Sequence, residues 1–360
     1  MIRVGIIGCG KIADAHAEQI QRIAGCQIVG VCDKEKLMAK QLYERFPIMQ
    51  YFDNVKDLLE ISHPDVVHIT TPPQGHFDLG KTCLEAGCHV YIEKPFTVNA
   101  AEAEELVRLA MEKRLKLTVG HDDQFTHATR RMRSLIRDGY LGGPPVHMES
   151  YYCYDLGDAH YAKALLGDKK HWVRALPGTL MQNTISHGIC RIAEFMSDDN
   201  PQVIAHGFVS PFLRGLGEEG IVDEARVIIS NQNVSAYFTF STQMRPSMKH
   251  FRAYGPKNAL VVDHDQQLLI KLKGAKYKSY LEKFVPQLDY AAQMARNSFM
   301  NVHSFLRNDF HMKSGMKFLI ESFYHSITDD TPPPISYREI ILTARIMDNI
   351  FSQIRPSKSQ

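Results

Sequence analysis

The chain has 360 residues, of which 44% are hydrophobic and 23% are charged, and its formal net charge is +2. This composition is typical of a globular protein long enough for two domains, and the near-neutral charge predicts no nucleic-acid partner. No apolar run approaches the ~20 residues of a membrane-spanning helix, and the odd number of cysteines favours reduced thiols over a disulfide framework. We therefore expect a cytoplasmic protein with no membrane partner.

Residues 1–121 alternate apolar runs with helical patterns. The runs predict strands that end at Ile7, Val31, Ile69, Ile92 and Val119. Continuous apolar strands separated by helices are typical of a parallel sheet covered on both faces. We predict a Rossmann domain, a doubly wound parallel sheet that binds a dinucleotide, over 1–121.

The pattern changes in the second part of the chain, which we predict to be one domain over 122–360. Residues 234–240 carry apolar side chains at the even positions, which indicates a sheet with one buried face. Short turns between such runs favour antiparallel pairing, and helical patterns occur at about 180–196, 290–324 and 337–350. We predict an α+β domain with a largely antiparallel sheet. One helix carries a set of large apolar residues expected in the core or an interface, namely Phe299, Val302, Phe305 and Leu306.

A glycine-rich segment, Gly8-Cys9-Gly10-Lys11-Ile12-Ala13, joins the first predicted strand to the first helix. Gly8 permits a tight turn, and Gly10 lets the backbone approach a phosphate. Lys11 and Ile12 open the helix, whose N-terminal amide groups attract anions. The segment predicts a dinucleotide site, with an ordinary structural turn as the alternative.

An acidic residue follows the second predicted strand at the spacing expected of a dinucleotide site. Asp33 lies 25 residues after Gly8, where a carboxylate binds the ribose hydroxyls. Because a carboxylate repels a 2′-phosphate, we predict NAD as the cofactor. Lys34 follows immediately and leaves NADP possible.

Further motifs follow later strands of the first domain: Thr70-Thr71-Pro72-Pro73, His76 and Glu93-Lys94-Pro95. With the glycine-rich segment, they resemble the Gfo/Idh/MocA family, the glucose-fructose oxidoreductase and inositol dehydrogenase group. The resemblance is strong over residues 1–120. It is looser afterwards, where it rests on Trp172, Gly178, His187 and residues 332–350.

The resemblance implies roles for individual residues of the first domain. Lys94 would lie beside the nicotinamide and the substrate hydroxyl and act in catalysis, with a cis peptide bond to Pro95. Glu93 would orient the lysine or the ribose. The implied cofactor-binding residues of these motifs are Thr70, Thr71, Pro72, His76, Glu93 and Lys94.

The family's second catalytic element is an aspartate and a histidine four residues apart on a helix. The matching residues here are Asn183 and His187, and this spacing predicts one helix face for both. His187 suits a proton acceptor, whereas Asn183 can orient a hydroxyl group but cannot accept its proton. Gln124 and Cys190 also depart from the family pattern. His121 is a further substrate-binding candidate, and we predict no metal site.

The leading hypothesis is an NAD(P)-dependent oxidoreductase that transfers hydride between nicotinamide and a secondary alcohol or ketone. The resemblance implies a small sugar, cyclitol or sugar derivative as the substrate. The alternatives are a non-redox glycoside hydrolase or eliminase of the same family, and an inactive NAD-binding regulator. We expect a homo-oligomer, a dimer or tetramer, formed through the C-terminal sheet.

Overall fold

The computed structural model describes residues 1–158, 165–274, 277–310 and 313–354. Contacts along the chain define two compact units. The first unit comprises Met1–Asp122 together with Gly315–Arg345, and the second comprises Asp123–Ser314 together with Ile346–Gln360. The domain division between residues 121 and 122 stays a prediction, to which the structure adds that Gly315–Arg345 packs with the first unit.

The first unit is built on a six-stranded parallel sheet with the strand order β3-β2-β1-β4-β5-β6. The predicted Rossmann fold is confirmed. The strands are β1 (Ile2–Ile7), β2 (Cys26–Cys32), β3 (Tyr51–Phe52), β4 (Val66–Ile69), β5 (His89–Ile92) and β6 (Leu117–Val119). The helices between them are α1 (Lys11–Gln21), α2 (Lys36–Arg45), α3 (Val55–Ser62), α4 (His76–Glu85) and α5 (Ala100–Glu112). The prediction missed the two-residue strand β3 and ended β2 one residue early.

The central strands end level with one another. Ile7 of β1 pairs with Ile69 of β4, Ile69 pairs with Ile92 of β5, and Ile92 pairs with Val119 of β6. These residues are buried because helices cover both faces of the sheet. The segments that follow these strands therefore emerge at one edge of the sheet, where open α/β sheets bind ligands.

The second unit contains an eight-stranded sheet, in which β11 pairs with β7 beside the main order β14-β13-β12-β7-β10-β9-β8. Neighbouring strands are antiparallel except β7 and β10, so the predicted largely antiparallel sheet is confirmed. The strands are β7 (His147–Asp155), β8 (Gln202–Phe208), β9 (Glu224–Ser230), β10 (Ser235–Ser241), β11 (Gln243–Met248), β12 (His250–Tyr254), β13 (Asn258–Asp263) and β14 (Leu268–Lys273). The remaining described helices are α6 (His127–Arg137), α7 (Thr179–Thr184), α8 (Ser186–Ala193), α9 (Pro211–Gly215), α10 (Val285–Leu306), α11 (Ser314–Thr328) and α12 (Tyr337–Gln353).

One face of this sheet is buried and carries helix α8. In β10, Ala236, Phe238 and Phe240 are buried, whereas Tyr237 on the opposite face is exposed. A Cβ atom at Gly188 of α8 would lie 2.2 Å from the Phe238 ring, so only glycine permits this close packing. The predicted alternation is confirmed, and the contact holds α8 against the sheet.

Two predicted helices are each divided in the structure. The pattern at 180–196 forms α7 and α8, separated at Ile185, whose carbonyl accepts a short-range hydrogen bond from Gly188 N–H. The pattern at 290–324 forms α10 and α11. Asn308 between them has φ = +60°, which a right-handed helix cannot continue.

None of the described helices is both long and apolar enough to cross a bilayer.

Candidate dinucleotide-binding and catalytic residues

The glycine-rich turn brings two glycines into different environments. Gly8 has φ = +94°, and a Cβ atom there would lie 2.8 Å from the backbone nitrogen of Thr71. Gly10 has an ordinary φ of −77°, but no atom lies within 4 Å of the position its Cβ would take. Gly8 is therefore required by the fold, whereas Gly10 leaves open space at the start of α1. The N-terminus of α1, which includes Lys11 and Ile12, has no side-chain cap.

Asp33 is bound to the glycine-rich turn itself. One carboxylate oxygen accepts a hydrogen bond from the Cys9 backbone N–H at 2.7 Å, and the other accepts one from Glu35 N–H at 2.9 Å. Two backbone donors thus fix the carboxylate at the end of β2. Lys34 beside it is exposed. Asp33 therefore stabilises the turn in addition to its predicted role toward a ribose.

The segment after β4 packs on the same turn. The buried Thr70 hydroxyl donates to the Gly8 carbonyl, and the Thr71 hydroxyl oxygen is buried with no hydrogen-bond partner among the described residues. Pro72 then begins a short 3₁₀ turn. The ring of His76 bridges the Thr71 and Pro95 carbonyls, at 2.8 and 2.9 Å, so it joins the loops after β4 and β5.

Lys94 follows β5 in a partly buried position. The peptide bond from Lys94 to Pro95 is cis, as the family resemblance implies. The Lys94 backbone N–H donates to the Glu93 carboxylate at 3.1 Å. A Cβ atom at Gly120 would lie 2.7 Å from Glu93, so glycine after β6 makes room for this carboxylate. The fold therefore fixes the backbone on both sides of the Lys94 side chain.

The Glu93 carboxylate ends a chain of buried hydrogen bonds. Glu93 contacts His16 Nε2 at 2.8 Å, His16 Nδ1 contacts His68 Nδ1 at 2.8 Å, and His68 Nε2 contacts the Tyr324 hydroxyl at 2.8 Å. The His68 ring also stacks on Tyr91. His16, His68 and Tyr324 belong to none of the sequence motifs. The sequence did not predict their contacts, because these residues come together only on folding.

The Glu93 carboxylate fixes the direction of the first hydrogen bond in this chain of contacts. Burial alone raises the pKa of a carboxyl group, but the His16 hydrogen bond and the Lys94 charge outweigh it and lower the pKa of Glu93 to about 2. Burial holds the pKa of His68 well below its ordinary value. An ionised Glu93 only accepts, so His16 Nε2 donates to it.

In the second unit, His187 has an acidic partner that the sequence did not predict. Its Nδ1 lies 3.2 Å from the Asp123 carboxylate, and its ring stacks on Tyr152 at a centroid distance of 5.2 Å. The same carboxylate binds the buried Arg191 at 2.9 Å. Burial alone raises the pKa of a carboxyl group, but the charges of His187 and Arg191 hold the pKa of Asp123 well below its usual range.

Asn183 lies on α7 and His187 on α8, so the predicted single helix is divided at the one residue Ile185. Ile185 keeps a right-handed helical backbone, and the shared face of Asn183 and His187 stays a prediction. Gln124 donates to the Glu194 carboxylate at 3.1 Å. Position 183 lacks the aspartate of the family pattern, and Asp123 supplies a carboxylate to His187 instead. The only sequence signal for Asp123 is the run His121-Asp122-Asp123.

The interior of the second unit also contains buried polar atoms with no partner among the described residues. They include Nε and Nη1 of Arg191 and both ring nitrogens of His264. Burial and the charge of Arg191 hold the pKa of His264 well below its ordinary value. Buried polar groups require hydrogen-bond partners, so these atoms are available to a polar ligand or water. In the first unit, His121 is buried two residues after the end of β6.

The first unit fits a dinucleotide by its own geometry. Gly10 leaves space beside an uncapped helix N-terminus, which suits a pyrophosphate. The buried Thr71 hydroxyl lacks a partner among the described residues, and the strand ends meet at one edge. Gly8, Asp33 and Thr70 hold this cradle together.

Comparisons with known proteins agree with this geometry. Residues 2–121 match the Gfo/Idh/MocA model, described as an oxidoreductase family with an NAD-binding Rossmann fold. The match covers the N-terminal Rossmann segment, which is about one third of the chain. The predicted family is confirmed, and the prediction of NAD as the cofactor is confirmed at the level of the family.

Individual relatives were also identified. The chain is 32% identical to D-glucoside 3-dehydrogenase of Escherichia coli (strain K12) over 39% of this chain and 40% of that protein. It is 33% identical to UDP-N-acetylglucosamine 3-dehydrogenase of Acidithiobacillus ferrooxidans over 37% and 41% of the two chains. The matched segment thus spans about two fifths of the length of these curated relatives.

The similarity of fold extends further than the similarity of sequence. The structure of WlbA dehydrogenase from Bordetella pertussis, in complex with NADH and UDP-GlcNAcA, matches 98% of this chain and 95% of its own. The TM-score is 0.75 at 15% sequence identity. Both units of this chain therefore have the fold of known dehydrogenases.

Proposed function

We propose that this protein is an NAD(P)-dependent oxidoreductase acting on a secondary alcohol or ketone of a sugar, cyclitol or sugar derivative. The observation that carries the proposal is the edge of the parallel sheet, where the glycine-rich turn, Thr71 and Lys94 follow strands that end level with one another. The Thr71 hydroxyl oxygen there is buried and has no hydrogen-bond partner in the described part of the chain. The family match over residues 2–121 and the dehydrogenase names of the relatives support it.

The residues of the first unit would hold and orient the cofactor. Gly10, Lys11 and Ile12 would bind the pyrophosphate at the N-terminus of α1, and Asp33 would bind a ribose. His76 and Glu93 act by holding the loops that carry Thr71 and Lys94. A nicotinamide dinucleotide, when bound, supplies the hydride acceptor or donor. An anionic Asp33 favours NAD over NADP.

The alcohol proton would pass to His187 or to Lys94. The Asp123 carboxylate orients the His187 ring through Nδ1, which leaves Nε2 to exchange a proton with a substrate hydroxyl. Asn183 would orient hydroxyl groups, and His121 is a further substrate-binding candidate. Because Asp123 supplies the carboxylate, the asparagine at position 183 does not argue for an inactive regulator. The names of the relatives likewise favour a dehydrogenase over a hydrolase or eliminase.

The decisive experiment is a turnover assay across sugars, cyclitols and nucleotide sugars with NAD⁺ and NADP⁺. We expect reduced nicotinamide to form with at least one substrate, and Lys94→Ala to lower kcat/KM by roughly 10²–10⁴-fold, as is usual for loss of an acid–base group. Lys40→Ala, on an exposed ion pair of α2, is the matched control and should retain full activity. Tight NAD binding without turnover would favour the regulator, and glycoside cleavage without net reduction would favour the hydrolase.

We also propose a cytoplasmic homo-oligomer. The seven cysteines are all free thiols, which suits a reducing compartment. On the outer face of the second sheet, Ile204 pairs in register with Ile228, and Ile228 with Tyr237, and all three side chains are exposed. This apolar row supports the predicted contact through the C-terminal sheet. Ile228→Lys should lower the assembly mass in light scattering if the row is the interface.

A further inference from the structure

Helix α10 has its polar and apolar faces reversed relative to an ordinary surface helix. The side that packs on the sheet carries amides: Asn297 exchanges hydrogen bonds with the backbone N–H and C=O of Leu269, and Gln293 does the same with Lys271. These two residues complete the edge strand β14. Asn297 is the only buried residue of the helix. The helix is therefore held to its own unit by side-chain amides.

The opposite side of α10 is apolar and exposed. Its row follows the alternating four- and three-residue spacing of a helix-pairing seam, through Leu288, Ala292, Ala295, Phe299, Val302 and Leu306. Leu288, Phe299 and Leu306 expose 70%, 75% and 77% of their area, and Val302 exposes 56%. Between Leu288 and Leu306 the only acidic or permanently basic residues are Asp289 and Arg296. An exposed helix normally carries its charged residues on this side.

The order of side chains in the row is complementary to itself. If two copies pair antiparallel about a two-fold axis at the level of Asn297, Ala295 faces Phe299 of the partner subunit. Ala292 then faces Val302 of the partner subunit, and Leu288 faces Leu306 of the partner subunit. Alanine lies opposite a larger side chain in two of these three pairs and leucine lies opposite leucine in the third, and the two-fold axis repeats each pair on its other side.

We propose that α10 forms a contact between two copies of this chain, with the two helices antiparallel and the six-residue row as the seam. Pairing over this length buries on the order of 1,000 Å² in total, which is near the lower end for a specific protein interface. The contact is separate from the outer face of the C-terminal sheet. An assembly that uses both surfaces is a dimer of dimers.

The first test is the mass in solution, which does not depend on turnover. Val302→Glu places a charge in the seam and should halve the mass measured by light scattering. Leu216→Glu changes an equally apolar exposed residue at the end of α9 and should leave the mass unchanged. A monomeric wild-type protein, or a Val302→Glu variant with the wild-type mass, would overturn the proposal.

The second test addresses the register. The double variant Ala292→Cys/Val302→Cys should form a disulfide-linked dimer under mild oxidation, because the two positions face each other across the seam. Ala292→Cys alone should remain uncrosslinked, since its counterpart lies at the other end of the pair. The native cysteines give a low background, because all except the half-buried Cys26 are buried. Crosslinking by Ala292→Cys alone would contradict the antiparallel pairing.

Discussion

At the scale of single residues, the glycines at positions 8 and 10 are needed for different reasons. Gly8 is required because its backbone lies in the left-handed region and Thr71 occupies the place of a side chain. Gly10 satisfies neither condition, since its φ is ordinary and its surroundings are open. The fold requires the first glycine, and the proposed ligand requires the second.

This difference can be measured with two alanine variants. Gly8→Ala should lower the free energy of unfolding by roughly 1–3 kcal/mol, the usual range for backbone strain. Gly10→Ala should unfold like the wild type yet bind NAD at least tenfold more weakly by calorimetry, because its methyl group enters the space beside α1. Wild-type NAD affinity in Gly10→Ala would show that the pyrophosphate does not lie there.

The pKa of Glu93 predicts a specific dependence of stability on pH. Its pKa falls from 4.5 to about 2 on folding, so the ionised side chain stabilises the fold above pH 4.5. That stabilisation, on the order of 3 kcal/mol, is lost as the pH falls from 4.5 toward 2. Glu93→Gln should be less stable at pH 7, and its difference from the wild type should shrink in denaturant titrations between pH 5 and 3. A difference that is constant with pH would contradict an ionised Glu93.

At the scale of elements, the helices of the second unit show how polar side chains can replace apolar packing. Asn297 of α10 makes four hydrogen bonds, including one from Arg131. These bonds attach the helix to its unit, as buried leucines do in most helices. The sequence pattern of α10 predicted that Phe299 and its neighbours lie in a core or an interface. The structure excludes the core within this chain, because these side chains are exposed.

The variant Asn297→Ala tests this inverted arrangement. It leaves the Leu269 backbone groups without their partners, and we expect a loss of about 2–4 kcal/mol in the free energy of unfolding by urea. Gln287→Ala, on the exposed part of the same helix, should change it by less than about 0.5 kcal/mol. Equal stability of the two variants would mean that α10 is held by other contacts.

At the scale of the whole molecule, a ligand that binds the folded state raises the melting temperature. NAD at a hundred times its Kd should stabilise the protein by about 2.7 kcal/mol. NADP at the same concentration should give a smaller shift, because Asp33 is anionic and held in place by two backbone amides. An equal or larger shift with NADP, measured by differential scanning fluorimetry, would assign cofactor choice to Lys34 instead.

Features that depend on neighbours in sequence were predicted well. Apolar runs followed by Gly8, Asp33 or Glu93 marked the strand ends, because strand, turn and helix signals are local. The chain of hydrogen bonds that leads from Glu93 through His16 was not predictable, since its last members, His68 and Tyr324, are 256 residues apart and no pattern connects them. Asp123 was missed as the His187 partner for the same reason, because pairing across the fold leaves no spacing to recognise.

Gly315–Arg345 packs with the first unit although it is synthesised long after the rest of that unit. The six parallel strands are complete at Val119, but Tyr324, which ends the His16–His68 chain, leaves the ribosome about 200 residues later. At synthesis rates of 5–20 residues per second, this is a delay of about 10–40 seconds. During that interval the nascent Rossmann sheet holds the buried His68 without its Tyr324 partner. We therefore expect the emerging N-terminal part to bind chaperones until Tyr324 has been synthesised.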